Sequence, residues 1–301
     1  MKKNISIWGI LSCMLILMSS CWHEDLSNCW KGDVVIHLYA EDFQTSTDEG
    51  KKSLFTEKVS SLGVLLYDKN SGNLLKTEHL TNLVSADSCY TLTFHGLPFG
   101  DYVLVTEANT NQFLEQASHW DSLAMKQPES NRFDYLASLD SFTLDCECGY
   151  QDLFWMYRKN GRVQFTLQNI PLDISRVEAI VDNLYAVGKA DTVYQGNTDR
   201  MVSHSFEKQD DYVKSSFLLD AFPTASESGS SVTFRFYMNG AEGKEILAKT
   251  VFLDRKIRVP RNAMIGVTVD FENNLELKPD VEIVIDPTWD GVNDDGDVDV
   301  N

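Results

Sequence analysis

Tyr90, Leu92 and Phe94 alternate with Thr91, Thr93 and His95, the period of two expected of a strand with one buried face. The pattern recurs along most of the chain. Val34 to Tyr39, VVIHLY, reads as a first strand, rich in β-branched and aromatic residues. Leu62 to Tyr67 and Leu74 to His79 read as a hairpin, with turn chemistry from Asp68 to Asn73 between them. Gly96-Leu97-Pro98-Phe99-Gly100 interrupts the alternation, and Tyr102 to Thr106 resumes it. Val163, Phe165 and Leu167 then share a face, and Ile174, Val177, Ile180 and Val181 continue the strand pattern. Polar loop sequence is expected from Val187 to Val213. Further strands are expected at Ser215 to Leu219, Ser231 to Met238, Ile246 to Leu253 and Ile265 to Phe271, with a last one carrying Val281, Ile283 and Ile285 on one face.

Two stretches break the rhythm. Phe113, Ala117, Trp120 and Ala124 are spaced by three or four, which predicts one short amphipathic helix ended by Pro128 to Asn131. QDLFWMY crowds large apolar and aromatic side chains into Leu153 to Tyr157. That run is either an inter-domain seam, the favoured reading, or a binding surface. Arg158-Lys159-Asn160-Gly161 follows as a polar turn between domains. Short strands broken by turns on both sides of it predict an all-β chain of two tandem β-sandwiches, residues 34–157 and 158–301, with one helical insertion. The L-P-x-G-x-Y corner at Leu97 to Tyr102 resembles that of transthyretin-like sandwiches.

The start of the chain is different. Lys2 and Lys3 precede an apolar run from Ile5 to Met18, then Ser19, Ser20 and Cys21. This is the order of a secretory signal peptide, and the run falls short of the about 20 residues that span a bilayer. L-M-S-S-C resembles a bacterial lipobox, with cleavage after residue 20, acylation of Cys21 and a tether over residues 21–33. An ordinary signal peptide with a structural Cys21 is the alternative.

Composition narrows the class of partner. There are 45 acidic against 26 basic side chains, a net charge of −19. Such a field repels nucleic acid and anionic headgroups. Attachment to a membrane must therefore come from the acyl chains on Cys21 rather than from a basic patch. Past Cys21 the cysteines are Cys29, Cys89, Cys146 and Cys148, whose disulfide pairing in an exported protein stays open among three arrangements. Cys146 and Cys148 share a strand face, so they do not readily bond each other. No second Cys pair or nearby His completes a metal site.

Catalytic signatures are missing. The sequence holds no nucleophile elbow, P-loop, dinucleotide fingerprint or H-E-x-x-H. Its six histidines are scattered, so neither an enzyme nor a cofactor is expected. Asp286, Thr288, Asp290, Gly291 and Asp297 approximate a calcium loop, but the closing Glu is missing and a solvated acidic tail is the better reading.

Four motifs, in order, carry a family resemblance: the lipobox followed by Asp25-Leu26-Ser27-Asn28-Cys29, the corner Gly96 to Tyr102, Asp152-Leu153-Phe154, and Ile257 to Val269 with its R-N turn. In this order the chain resembles the FimB-type fimbrial anchor and minor subunits of Bacteroides-type bacteria. The resemblance implies tandem transthyretin-like sandwiches in an outer-membrane lipoprotein that anchors, initiates or limits a fimbria. It also implies fimbrial subunits as partners, joined by strand exchange through either the first strand or the last. Glu24 and Asp25 resemble the acidic pair that sends lipoproteins of such bacteria to the outer face of the cell; a plain solvated tether is the alternative. Stalk subunits of such systems lose an N-terminal segment at a basic site. Here the first Lys and Arg after Cys21 are Lys31 and Arg132, so the N-terminus is expected to be kept. The rival reading is a surface glycan-binding lipoprotein, for which Trp120, Trp155 and Trp289 are the candidate platforms.

Overall fold

The computed structural model describes residues 30–41, 53–128, 134–145, 148–191, 193–271, 275 and 282–285. The first sandwich is built from β1 (Lys31–Ala40), β2 (Leu62–Asp68), β3 (Leu74–Leu80), β4 (Cys89–Pro98), β5 (Gly100–Ala108), β7 (Leu136–Leu144) and β8 (Tyr150–Arg158), with a two-residue β6 (Met125–Lys126) outside the main sheet. The sheet order is β3-β2-β5-β7-β8-β1-β4. β7 and β8 meet only at Leu136–Arg158 and Ala137–Tyr157. The sheet therefore folds at that corner into two leaves, β3-β2-β5-β7 and β8-β1-β4. Ile36, Leu38, Val64, Leu66, Phe94, Leu104, Phe142 and Met156 fill the space between them.

β2 and β5 do not alternate, because both their faces are covered. On the outer side Leu65, Tyr67, Val103 and Val105 pack under Phe113, Leu123 and Met125 of the insertion, and under Ala190 and Phe222 of the second sandwich. The helical insertion is present as two 3-10 turns, Leu114–Gln116 and Trp120–Ser122, rather than one amphipathic helix. The Glu107 carboxylate, itself buried, accepts the Phe113 N–H at 2.9 Å and the Leu114 N–H at 2.8 Å. That fixes the first turn against the sheet, and the weak helix formers Ser118 and His119 let the chain extend before the second. Gly63 lies directly beneath: a Cβ there would stand 2.8 Å from Glu107 Cγ.

The second sandwich holds β9 (Gly161–Gln168), β10 (Ile174–Leu184), β11 (Val187–Gly188), β12 (Tyr194–Gln195), β13 (Thr198–Ser205), β14 (Lys214–Ala221), β15 (Val232–Asn239), β16 (Glu245–Phe252), β17 (Met264–Asp270) and β18 (Glu282–Ile285). Its sheets run β13-β10-β15-β16 and β14-β9-β17-β18. Val163, Phe165, Leu167, Phe234, Phe236, Val267 and Phe271 form the core between them, with Phe271 edge-on to Phe234 and Phe236. β13 and the short pair β11–β12 occupy part of what the sequence presents as polar loop. β13 is an edge strand in which only Val202 is buried, so its apolar signal is a single residue. A third sheet, β12-β11-β6, joins the two sandwiches through the pairs Val187–Lys126 and Gly188–Met125.

Candidate subunit interface: the terminal strands and the seam

The first strand lies inside its sheet. β1 runs antiparallel to β4 from Lys31–Pro98 to Tyr39–Cys89, and parallel to β8 from Val34–Tyr150 to Ala40–Met156. Val34, Ile36 and Leu38 are fully buried and Ala40 nearly so. Burying the three larger side chains contributes about 1.5–3 kcal/mol each as an upper estimate. Without β1 the sandwich would be split by an apolar groove lined on both sides by unpaired backbone. The corner ahead of β5 is closed by the Tyr102 hydroxyl, which donates to the Pro98 carbonyl.

The last strand is placed differently. β18 pairs with β17 alone among the described residues, through four antiparallel positions from Ile265–Ile285 to Thr268–Glu282. It ends its sheet, and its outer backbone edge is a template for pairing with another chain.

Between the sandwiches lies a deeply buried polar cluster. Arg158, Lys159 and Asn160 are at most 1% exposed, whereas their polarity predicts a surface turn. β8 passes straight into β9 here, and the side chains of Arg158, Lys159 and Asn160 each find a hydrogen-bond partner elsewhere in the chain. Arg158 Nη2 lies 3.2 Å from Asp134 Oδ2, and its N–H donates to Glu41 Oε2 at 2.8 Å. The same Glu41 oxygen accepts from Arg261 Nη1 at 3.0 Å. Arg162 grips Asp220 through two bonds of 2.7 and 3.1 Å. Lys159 Nζ donates to the Ala190 carbonyl at 2.7 Å, and Tyr194 Oη to the Lys159 carbonyl at 2.8 Å. Burial pushes the Lys159 ammonium down to about 7 and the Arg158 guanidinium to about 10. Asn262 holds φ at +53°, a conformation Asn tolerates better than most residues, and its N–H donates to the Asn160 carbonyl. The R-N turn noted in the sequence thus closes the seam. Gly161 is required by contact: a Cβ would stand 2.1 Å from the Pro260 carbonyl oxygen.

The candidate residues divide as follows. Cys21, Glu24, Asp25, Cys29 and Cys146 lie outside the described residues, as do Trp289 and the acidic tail from Asp286. Cys148 is disulfide-bonded, and Cys89 is a free, half-buried thiol. The four cysteines after Cys21 therefore do not form two pairs with each other. Trp120 is half-buried, and Trp155 is 41% exposed. Of the QDLFWMY run, Phe154 and Met156 enter the first core, while Leu153, Trp155 and Tyr157 face outward. The seam is made by the polar residues after them. Among the described residues, no three His, Cys, Asp or Glu side chains gather as a metal site, and no helix is long and apolar enough to cross a membrane.

Solved structures share this fold. A candidate adhesin from Bacteroides thetaiotaomicron superposes with a TM-score of 0.55 at 16% identity, over 88% of this chain and 98% of its own. A structure described under candidate polysaccharide-binding proteins, from the same organism, gives 0.54 at 13% identity over 85% and 96%. The fimbrial anchor protein Mfa2 from Porphyromonas gingivalis gives 0.49 at 14% identity over 85% and 95%. No curated protein sequence matches the chain. Residues 39–295 match the model of the fimbrillin-A associated anchor proteins Mfa1 and Mfa2, and the chain belongs to that family.

Proposed function

We propose that the protein is an outer-membrane lipoprotein that serves as a fimbrial anchor or minor subunit and binds fimbrial subunits by β-strand pairing. Its role is mechanical rather than catalytic. Membership of the anchor family supports the setting. The observation that carries the reading is the contrast between the terminal strands. β1 is paired on both sides and buried, whereas β18 is a four-residue edge strand with one neighbour among the described residues. A strand that is to be exchanged must be releasable at low cost, and β18 meets that condition while β1 does not. Cys21 carries the lipid, Glu24 and Asp25 direct the protein to the cell surface, and the lack of an Arg before Arg132 keeps the tether attached to β1.

Cys21→Ser tests the anchor directly. The variant is expected in the soluble fraction, together with shed fimbriae. A Cys21→Ser protein that still fractionates with the outer membrane, or cells whose fimbriae stay attached, would sink the reading.

A further inference from the structure

Between the exposed Asp33–His95 pair at one end and Arg261 at the other, outward-facing positions on the leaf β8-β1-β4 form a strip of uncharged side chains. β8 contributes Gln151, Leu153, Trp155 and Tyr157, β1 contributes Val35, His37 and Tyr39, and β4 contributes Cys89, Thr91 and Thr93. Leu153, Trp155 and Tyr157 are 53, 41 and 42% exposed. Tyr39 stacks on Trp155 with centroids 5.1 Å apart, so the indole plane is fixed in advance. The Arg261 guanidinium, over the Tyr157 ring at 5.6 Å, marks the end of the strip at the seam. Beside the rings runs a polar row: Gln151 Nε2 donates to His37 Nε2 at 3.0 Å, and His37 Nδ1 lies 3.1 Å from Thr91 Oγ1. This places the His37 proton on Nδ1. It leaves the Thr91 hydroxyl hydrogen and the Gln151 amide oxygen for a ligand.

We propose that this strip binds a neutral oligosaccharide, an activity separate from anchoring. Ordered aromatic rings take the apolar faces of sugars, and a preorganised hydroxyl and amide row takes their hydroxyls. Area argues against a protein partner. Six residue steps along β8 and three strands across give roughly 20 by 10 Å, well under the about 800 Å² per partner of a stable protein interface. The charges at its two ends, Asp33 and Arg261, are opposite in sign, so the face does not favour an ionic ligand of either sign.

Affinity electrophoresis of the mature chain in mild detergent tests this, using gels containing laminarin, mannan, xylan or amylopectin, with heparin as the polyanion. At least one neutral polysaccharide is expected to retard the protein, with no change in 0.5 M salt, a generous excess over physiological screening set at about 0.15 M. Trp155→Ala and Tyr157→Ala are each expected to weaken binding at least about tenfold. Leu153→Ser, read beside a melting curve, replaces Trp155→Ala if that variant fails to fold. The proposal is overturned by retardation on none of the four neutral polymers, by retardation that survives these substitutions, or by retardation on heparin alone. It is equally overturned if Trp155→Ala abolishes self-association or subunit capture while sugar binding is absent.

Discussion

Arg158 Nη1 donates to Asn262 Oδ1 at 2.8 Å, joining the end of β8 to the turn before β17 across 104 positions of sequence. The bond lies in the cluster that also holds Asp134, Glu41 and Arg261, and it makes the junction of the sandwiches a packed interior rather than a hinge. Arg158→Met should strip the buried Asp134 carboxylate of its nearest guanidinium and leave Asn262 without its donor. Removing one partner of a buried pair costs about 3–5 kcal/mol. The denaturation midpoint is expected to fall accordingly, as read from urea titration.

Lys159 gives the seam a pH signature. Its pKa is about 7 in the folded chain because burial penalises the ammonium, against about 10.4 when unfolded. Below pH 7 both states carry the proton and the contribution is flat. Between about 7 and 10.4 only the unfolded chain binds it, so stability rises with pH. Lys159→Met should abolish that rise in melting temperatures measured from pH 6 to 10.

Glu107 acts in the opposite sense. Burial raises its pKa to about 7 despite the Phe113 and Leu114 N–H bonds. From about 4.3, the unfolded value, to about 7, the folded chain binds the extra proton and stability falls as pH rises. Glu107→Gln should remove this slope. It should also cost about 1–3 kcal/mol, since an amide NH2 would face one of the two backbone donors. The two parent residues together predict a stability minimum near neutrality.

Removing residues 276–301 deletes β18 and its four pairs with β17. At about 0.2–1 kcal/mol per cross-strand pair the sandwich should survive with a modestly lower melting temperature. The truncated protein is expected to reach the cell surface but to fail to join fimbrial subunits. Normal incorporation, seen by immunogold labelling of fimbriae, would remove β18 from the mechanism.

Much of the fold could be read from alternation, because one-sided burial writes a period of two into β1, β9, β15 and β17. Where that rule lapses, the reading lapses too. β13 buries one apolar residue, and so leaves little trace. The spacing of Phe113, Ala117, Trp120 and Ala124 imitated a helix, but Glu107 and the extended His119 impose two tight turns instead. The seam was hidden for a deeper reason. Arg158, Lys159 and Asn160 are polar in composition, and only long-range partners such as Asp134, Glu41 and Asn262 make their burial affordable. The sign of the exposed Trp155 could not be read either, since Phe154 and Met156 beside it are core residues.

The double pairing of β1 sets how the molecule meets tension. A pull on the chain ahead of Lys31, directed along the strand, must slide β1 against β4 and β8 together, so that its ladder bonds resist in parallel rather than one after another. A pull across the β18 edge would meet its bonds with β17 singly, and unzip them. The same backbone chemistry thus makes one end of the protein a clamp and the other a latch.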